Sequence, residues 1–145
     1  MTNKLRIALA QLNPTVGDIA GNLQKALKAR RAAGMSGADL IVFSELFLVG
    51  YPPEDLVLKP AFQRAVVEAV AEFARETADG GPGVLIGAPW VQGGKLMNAV
   101  LYLDAGEIKG ETFKVHLPNY GVFDEPRVFQ SGNPPGPFNI RGVRI

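Results

Sequence analysis

The 145-residue sequence contains no cysteine and a single histidine, His116. The first absence excludes disulfides, thiolate metal sites and a cysteine nucleophile drawn from these residues. The second excludes a His-rich metal centre. A serine–histidine pair would have to recruit His116, and neighbouring Pro118 marks a rigid turn that makes a structural histidine the simpler reading. Runs of like charge are also missing. No Lys/Arg cluster is longer than Arg30-Arg31, and fifteen basic against fourteen acidic residues leave a net charge of +1. There is no electrostatic footprint for nucleic acid or an anionic membrane surface. Nothing approaches the length of an apolar membrane span, and the opening "MTNKLRIALAQLNP" is too short and polar for a signal peptide. The expected location is the cytoplasm. Chemistry, if these residues carry any, must rest on carboxylates, lysines, tyrosines and backbone groups.

What is present is ordinary for a globular domain: 47% hydrophobic and 20% charged residues, enough for one core. "LRIALAQL" (5–12), closed by Asn13-Pro14, reads as a buried first strand. The next segment has helical spacing at Ile19, Leu23, Ala26 and Leu27, with Arg30-Arg31 on the opposite side. Asp18 suits its N-cap and Gly34 its stop. "DLIVFSE" is a second short apolar run, buried on both faces if helices cover the sheet. Pro60 opens an amphipathic helix to about Thr77, with Phe62, Val66, Ala69, Val70 and Phe73 on one stripe. "VLIGAPW" follows the "GGPG" break as a third strand. "KLMNAVLYLDAGEIKGETFK" reads as two strands turning at Asp104-Ala105-Gly106, and "FNIRGVRI" as one more. The predicted class is α/β with a mixed sheet. The chain stops on a strand-like segment with no polar tail, the pattern expected of a fragment.

Three places stand out for chemistry. Glu45 follows the apolar run "ADLIVFS", where a strand should end, and ligand sites in open α/β sheets gather beyond the carboxyl ends of strands. Phe47, Tyr51, Pro52 and Pro53 come next, a stiff wall able to exclude water around a base; a solvated strand-end glutamate is the plain alternative. Lys114 closes "EIKGETFK" and is either a surface lysine on an edge strand or a fixed positive charge for a developing oxyanion. "NYGVFDEPRVF" sets Tyr120, Asp124, Glu125 and Arg127 among Phe123 and Phe129. Local ion pairing there would be worth roughly 0–1 kcal/mol if exposed; a second carboxylate near a base–lysine pair could instead orient substrate or the lysine. A base and an oxyanion stabiliser still need a nucleophile.

"FSELFLVGYPPEDL" and "FKVHLPNYGVFDEPRVFQSG" resemble the glutamate and lysine motifs of the nitrilase, or carbon–nitrogen hydrolase, superfamily. The likeness runs from "LRIALAQLNPTVGDIAGN" to "RGVRI", and "LPNYGVFDE" is most like one branch, the N-terminal glutaminase domain of glutamine-dependent NAD⁺ synthetases. The resemblance implies part of an α-β-β-α sandwich with mixed sheets and a Glu-Lys-Cys catalytic set. It makes Glu45 the general base and Lys114 the stabiliser of the tetrahedral intermediate, with Tyr120, Tyr51 and Glu125 around glutamine and no metal. It also implies a thioester intermediate, release of ammonia, and amidation of deamido-NAD⁺ by a separate synthetase domain that uses ATP and Mg. In the family's pattern the cysteine lies a few residues beyond Ile145. Residues 1–145 are therefore expected to be the N-terminal portion of the glutaminase domain, inactive alone, within a homo-oligomer whose ligand here is L-glutamine. A stand-alone amidase or carbamoylase of the same superfamily, or a non-catalytic scaffold domain, are the alternatives.

Overall fold

The computed structural model describes residues 4–145; residues 1–3, the start of the segment weighed above as a signal peptide, lie outside it. Strands β1 (Ile7–Ala10), β2 (Leu40–Phe43), β3 (Gly83–Gln92), β4 (Lys95–Asp104) and β5 (Glu107–Phe113) form a five-stranded sheet in that order. β1, β2 and β3 run parallel, linked through helices α1 (Ile19–Met35) and α2 (Pro60–Glu76). β3, β4 and β5 are antiparallel neighbours. The β3–β4 connection is the pair Gly93-Gly94, both in the left-handed region, where a tight hairpin needs residues free of a Cβ penalty. This mixed α/β sheet is the class expected from the sequence.

Both helices lie on one face. Leu23, Ala26 and Leu27 of α1 and Val66, Val70 and Phe73 of α2 pack with Ile41, Phe43, Val84, Ile86, Leu101 and Leu103 from the sheet. The α2 stripe read from the sequence is this contact. Asp18 caps α1 by accepting from the Gly21 amide at 2.9 Å. The helix does not stop at Gly34, which stays helical against Pro82; it ends at Met35, and Gly37 takes the left-handed turn at φ +74°.

The opposite face is covered differently. Leu40 and Tyr102 are buried there by Ile140, with Phe138 and Leu85 packed around them. The cover is a small hairpin, β6 (Asn139–Ile140) and β7 (Val143–Arg144), turning at Arg141-Gly142. "FNIRGVRI" is thus two short strands rather than one. β1 also departs from expectation. It lies at the edge of the sheet and points Ile7 and Leu9 to the helix-free face, leaving Leu9 74% exposed.

A charged residue of α1 crosses into the core. Arg30, expected on the solvated side of α1, is 3% exposed. Its guanidinium donates to Asp79 Oδ1 at 2.6 Å, to Asp79 Oδ2 at 3.0 Å, and to the carbonyls of Glu76 and Pro82. Five donors in a planar fork can satisfy several acceptors at once, which is why arginine tolerates this position. The ion pair ties α1 to the turn that follows α2.

Candidate active site

The backbone after β2 sinks into the core immediately beyond Glu45. Leu46, Phe47, Leu48 and Val49 are all fully buried, and the turn is closed by the Phe47 amide on Ser44 O and the Val49 amide on Leu46 O. Leu46 sits at φ +50°, an unfavourable conformation for leucine that its burial and the turn's hydrogen bonds hold in place. Phe47 is therefore not a wall of the site, as the sequence suggested. Its ring lies 4.9 Å from that of Phe43 and anchors the turn. Glu45 is left at the lip of the core, its side chain 44% exposed.

Gly87 of β3 makes this turn possible. A Cβ there would come 2.4 Å from the Leu46 nitrogen, 2.7 Å from Ser44 O and 3.0 Å from the Glu45 carbonyl carbon. All three are backbone atoms, so none can swing aside.

Lys114 follows β5 directly and continues its pairing: its amide donates to Asn98 O at 2.8 Å, and its own carbonyl accepts from Gly132 at 2.9 Å. The ammonium reaches Glu45 Oε1 at 2.8 Å and Glu125 Oε1 at 3.1 Å. Burial alone would lower its pKa, but hydrogen bonds to Glu45 and Glu125, and their charges, outweigh it and hold the ammonium above the ordinary lysine range. Lys114 is a fixed cation.

Glu125 opens a short turn (Glu125–Arg127) whose end is pinned by buried Phe129, the Phe129 amide donating to Glu125 O at 2.9 Å. Its carboxylate is buried. Oε1 accepts from Lys114 and from the Tyr51 hydroxyl at 3.2 Å, while Oε2 has no partner among the described residues. Burial, then the Glu125 carboxylate, raises the Tyr51 pKa, so the phenol remains a donor. Two carboxylates therefore flank one lysine.

A fifth residue completes the cluster, and sequence reasoning missed it. Asn98 of β4 donates from Nδ2 to Glu45 Oε1 at 2.7 Å. The available signal was a lone asparagine inside the apolar run "LMNAVLYL". Both donors to Glu45 use Oε1, so Oε2 has no partner among the described residues. Glu45, Asn98 and Lys114 line one side of an open cleft of about 390 Å³ with Thr112 and Phe113. Tyr51, Pro52, Pro53, Phe123 and Glu125 line a second hollow.

Other residues of the expected set fall elsewhere. Tyr120 is 71% exposed, its ring edge-on to Phe123 at 5.6 Å, and it lines neither cleft. Arg127 pairs with Asp55, with Asp124 at 3.3 Å and with Glu54 at 3.4 Å. Only the Asp124 pair is local; Asp55 and Glu54 come from the turn after the Tyr51-Pro52-Pro53 loop, and all three are exposed pairs of little energetic weight. His116 is exposed.

Comparison with known proteins decides the family. The carbon-nitrogen hydrolase model matches residues 6–145. The chain belongs to the carbon–nitrogen hydrolase family. It is 44% identical over 145 residues to the glutamine-dependent NAD(+) synthetase of Rhodobacter capsulatus, covering all of this chain and 26% of that protein. The solved glutamine-dependent NAD+ synthetase of Acinetobacter baumannii superposes with a TM-score of 0.90 at 35% identity, over 97% of this chain and 26% of that one. An amidase variant from Nesterenkonia sp. AN1, bearing the acetamide moiety of fluoroacetamide on its active-site cysteine, superposes at 0.76 with 28% identity. It is matched over 92% of this chain and 50% of its own. The chain thus spans about a quarter of the synthetases it resembles and half of the amidase. The sheet and helix layer described above is the corresponding part of the nitrilase-type fold.

Among the described residues no group of three or more His, Cys, Asp or Glu side chains could hold a metal ion. No helix among the described residues is long and apolar enough to cross a membrane.

Proposed function

We propose that these residues are the N-terminal portion of a glutaminase domain that supplies ammonia to a glutamine-dependent NAD⁺ synthetase. The observation that carries the reading is the junction of Glu45 and Lys114, 2.8 Å apart at the ends of β2 and β5. A carboxylate with one oxygen free stands beside a cation held charged, the pairing that acyl transfer from an amide requires. The synthetases at 44% and 35% identity support the substrate class.

In the proposed scheme a cysteine thiol from outside residues 1–145 gives its proton to Glu45 Oε2. The sulfur attacks the γ-carbonyl carbon of glutamine, and Lys114 faces the oxyanion that forms. As the C–N bond breaks, the Glu45 proton passes to the departing nitrogen and ammonia leaves, with a thioester remaining. Water, deprotonated by Glu45, then adds to the thioester; collapse returns the proton to sulfur and releases glutamate. Glu125, bonded to Lys114 and Tyr51, holds the lysine in place and, with Tyr51, borders glutamine. Tyr120 belongs to the glutamine contacts only if its exposed loop folds inward over the substrate. ATP and Mg serve the synthetase part, which amidates deamido-NAD⁺ with the ammonia; no step here runs through them. A homo-oligomer and a cytoplasmic location accord with this role.

The test is a glutaminase assay of the 145-residue chain beside a protein extended through the next cysteine, with simple aliphatic amides run in parallel. Glutamate release by the extended protein only, with glutamine preferred, is expected. Turnover by the short chain overturns the scheme. Preference for simple amides instead favours an amidase like that of Nesterenkonia.

A further inference from the structure

Asn98 hydrogen-bonds both Glu45 and Lys114 through different parts of itself. Its side-chain Nδ2 donates to Glu45 Oε1 at 2.7 Å, and its main-chain carbonyl accepts from the Lys114 amide at 2.8 Å. It is 4% exposed, in the middle of β4, a strand paired on both sides. Its position is therefore set by the sheet, whereas Glu45 sits in a turn and Lys114 just beyond a strand end.

The need for such a residue follows from the energetics of the pair. A partly exposed lysine–carboxylate bridge is worth little and does not by itself fix a flexible side chain. Lys114 also divides its ammonium between Glu45 and Glu125, so its charge is not committed to Glu45 alone. The Asn98 amide is neutral, fixed and single-minded. By occupying Oε1 it leaves Oε2 without a partner among the described residues, on a side chain that lines the cleft. A neutral donor also leaves the charge balance of two carboxylates and one ammonium unchanged, which a lysine or aspartate at this position would not.

We infer that Asn98 is a positioning residue for amide hydrolysis: it fixes the Glu45 carboxylate in the orientation that accepts the thiol proton and ties that orientation to the strand carrying Lys114. The inference rests on Glu45 acting as the base.

The test uses the extended protein carrying its thiol, with E45Q, N98L and N98D assayed on glutamine across pH. N98L removes the donor and keeps the branched shape; a misplaced base lowers kcat by roughly tenfold to a hundredfold, with KM changing less than kcat. N98D provides the signature that a purely structural role would not give. Its protonated carboxyl can donate to Glu45 as the amide does, but its ionised form places two like charges within hydrogen-bond distance. The ratio of N98D to wild-type kcat should rise as pH falls, and the recovery should reverse on returning to higher pH, which also shows that the variant is folded. Residual E45Q activity near wild type would remove the base reading itself. With E45Q inactive, a flat N98D ratio, or an N98L kcat equal to wild type, overturns the role of Asn98.

Discussion

The backbone of Glu45 passes over Gly87 with no room for a side chain: a Cβ on Gly87 would stand 3.0 Å from the Glu45 carbonyl carbon and closer still to Ser44 and Leu46. The site thus depends on a hydrogen atom in the neighbouring strand. G87A is expected to push the 44–46 turn outward, separating Glu45 from Lys114 and Asn98. In the extended protein kcat on glutamine should fall by about a hundredfold, while unfolding free energy drops by roughly 1–3 kcal/mol from overpacking. Paired kinetics and urea denaturation check this; a stability loss with unchanged kcat would detach Gly87 from the site.

Tyr51 donates to a buried carboxylate that also receives Lys114. Removing the hydroxyl in Y51F should cost roughly 0.5–1.5 kcal/mol in kcat/KM. Because burial and Glu125 raise the Tyr51 pKa, the phenol stays protonated through the neutral range. The kcat/KM profiles of wild type and Y51F should therefore run parallel between about pH 6 and pH 9. A limb present only in wild type would assign Tyr51 a titrating role.

The two residues that meet at the centre of the site were legible because each is a charged side chain closing a strand-like segment, the apolar run before Glu45 and the alternating one before Lys114, where a strand end can be read directly. Asn98 and Gly87 were not. Their importance lies in what comes within 3 Å of them from other strands, and that depends on register rather than on local pattern. Arg30 was misplaced for another reason: its charge was read as solvated, although it stands three, four and seven residues after Leu27, Ala26 and Leu23 on the same buried stripe, where Asp79 and Pro82 satisfy it. β1 reads as a core strand by composition, yet its edge position leaves Leu9 exposed. Composition records which residues can be buried, not which face of a sheet receives a cover.

Arg30 and Asp79 make stability depend on acid. The Arg30 hydrogen bonds, with the Gly81 amide, hold the Asp79 carboxyl at about 2, below its ordinary 3.8. A depressed carboxylate contributes fully above its unfolded pKa and loses that contribution as pH falls through the folded one. This part of the stability should fade between about pH 4 and pH 2. R30M should flatten that dependence and lower stability near neutrality by roughly 1–3 kcal/mol, since it strands the Pro82 and Glu76 carbonyls. Urea unfolding of the chain, followed by its single tryptophan, Trp90, measures both.

Asp104 fastens the β6–β7 hairpin. It accepts from Arg141 at 2.9 and 3.1 Å and from the Tyr102 hydroxyl at 2.7 Å. Burial would raise its pKa, but these donors prevail and lower it. D104N should loosen the hairpin and speed hydrogen exchange at the Phe138 and Ile145 amides, which bond each other's carbonyls. The protection lost should be worth roughly 1–3 kcal/mol. Exchange unchanged in D104N would show that Phe138 and Ile140 hold the hairpin without the ion pair.

The central claim is that Glu45 is the base of an amide-hydrolysing site whose charged partner is Lys114. Its most direct test is the rate of glutamate release from glutamine by the extended protein and its E45Q variant, which keeps the size and one acceptor oxygen for Asn98 and Lys114 but cannot take up a proton. The account predicts a fall of about a hundredfold or more in kcat, with the variant still folded. E45Q turnover within a few-fold of wild type would contradict it.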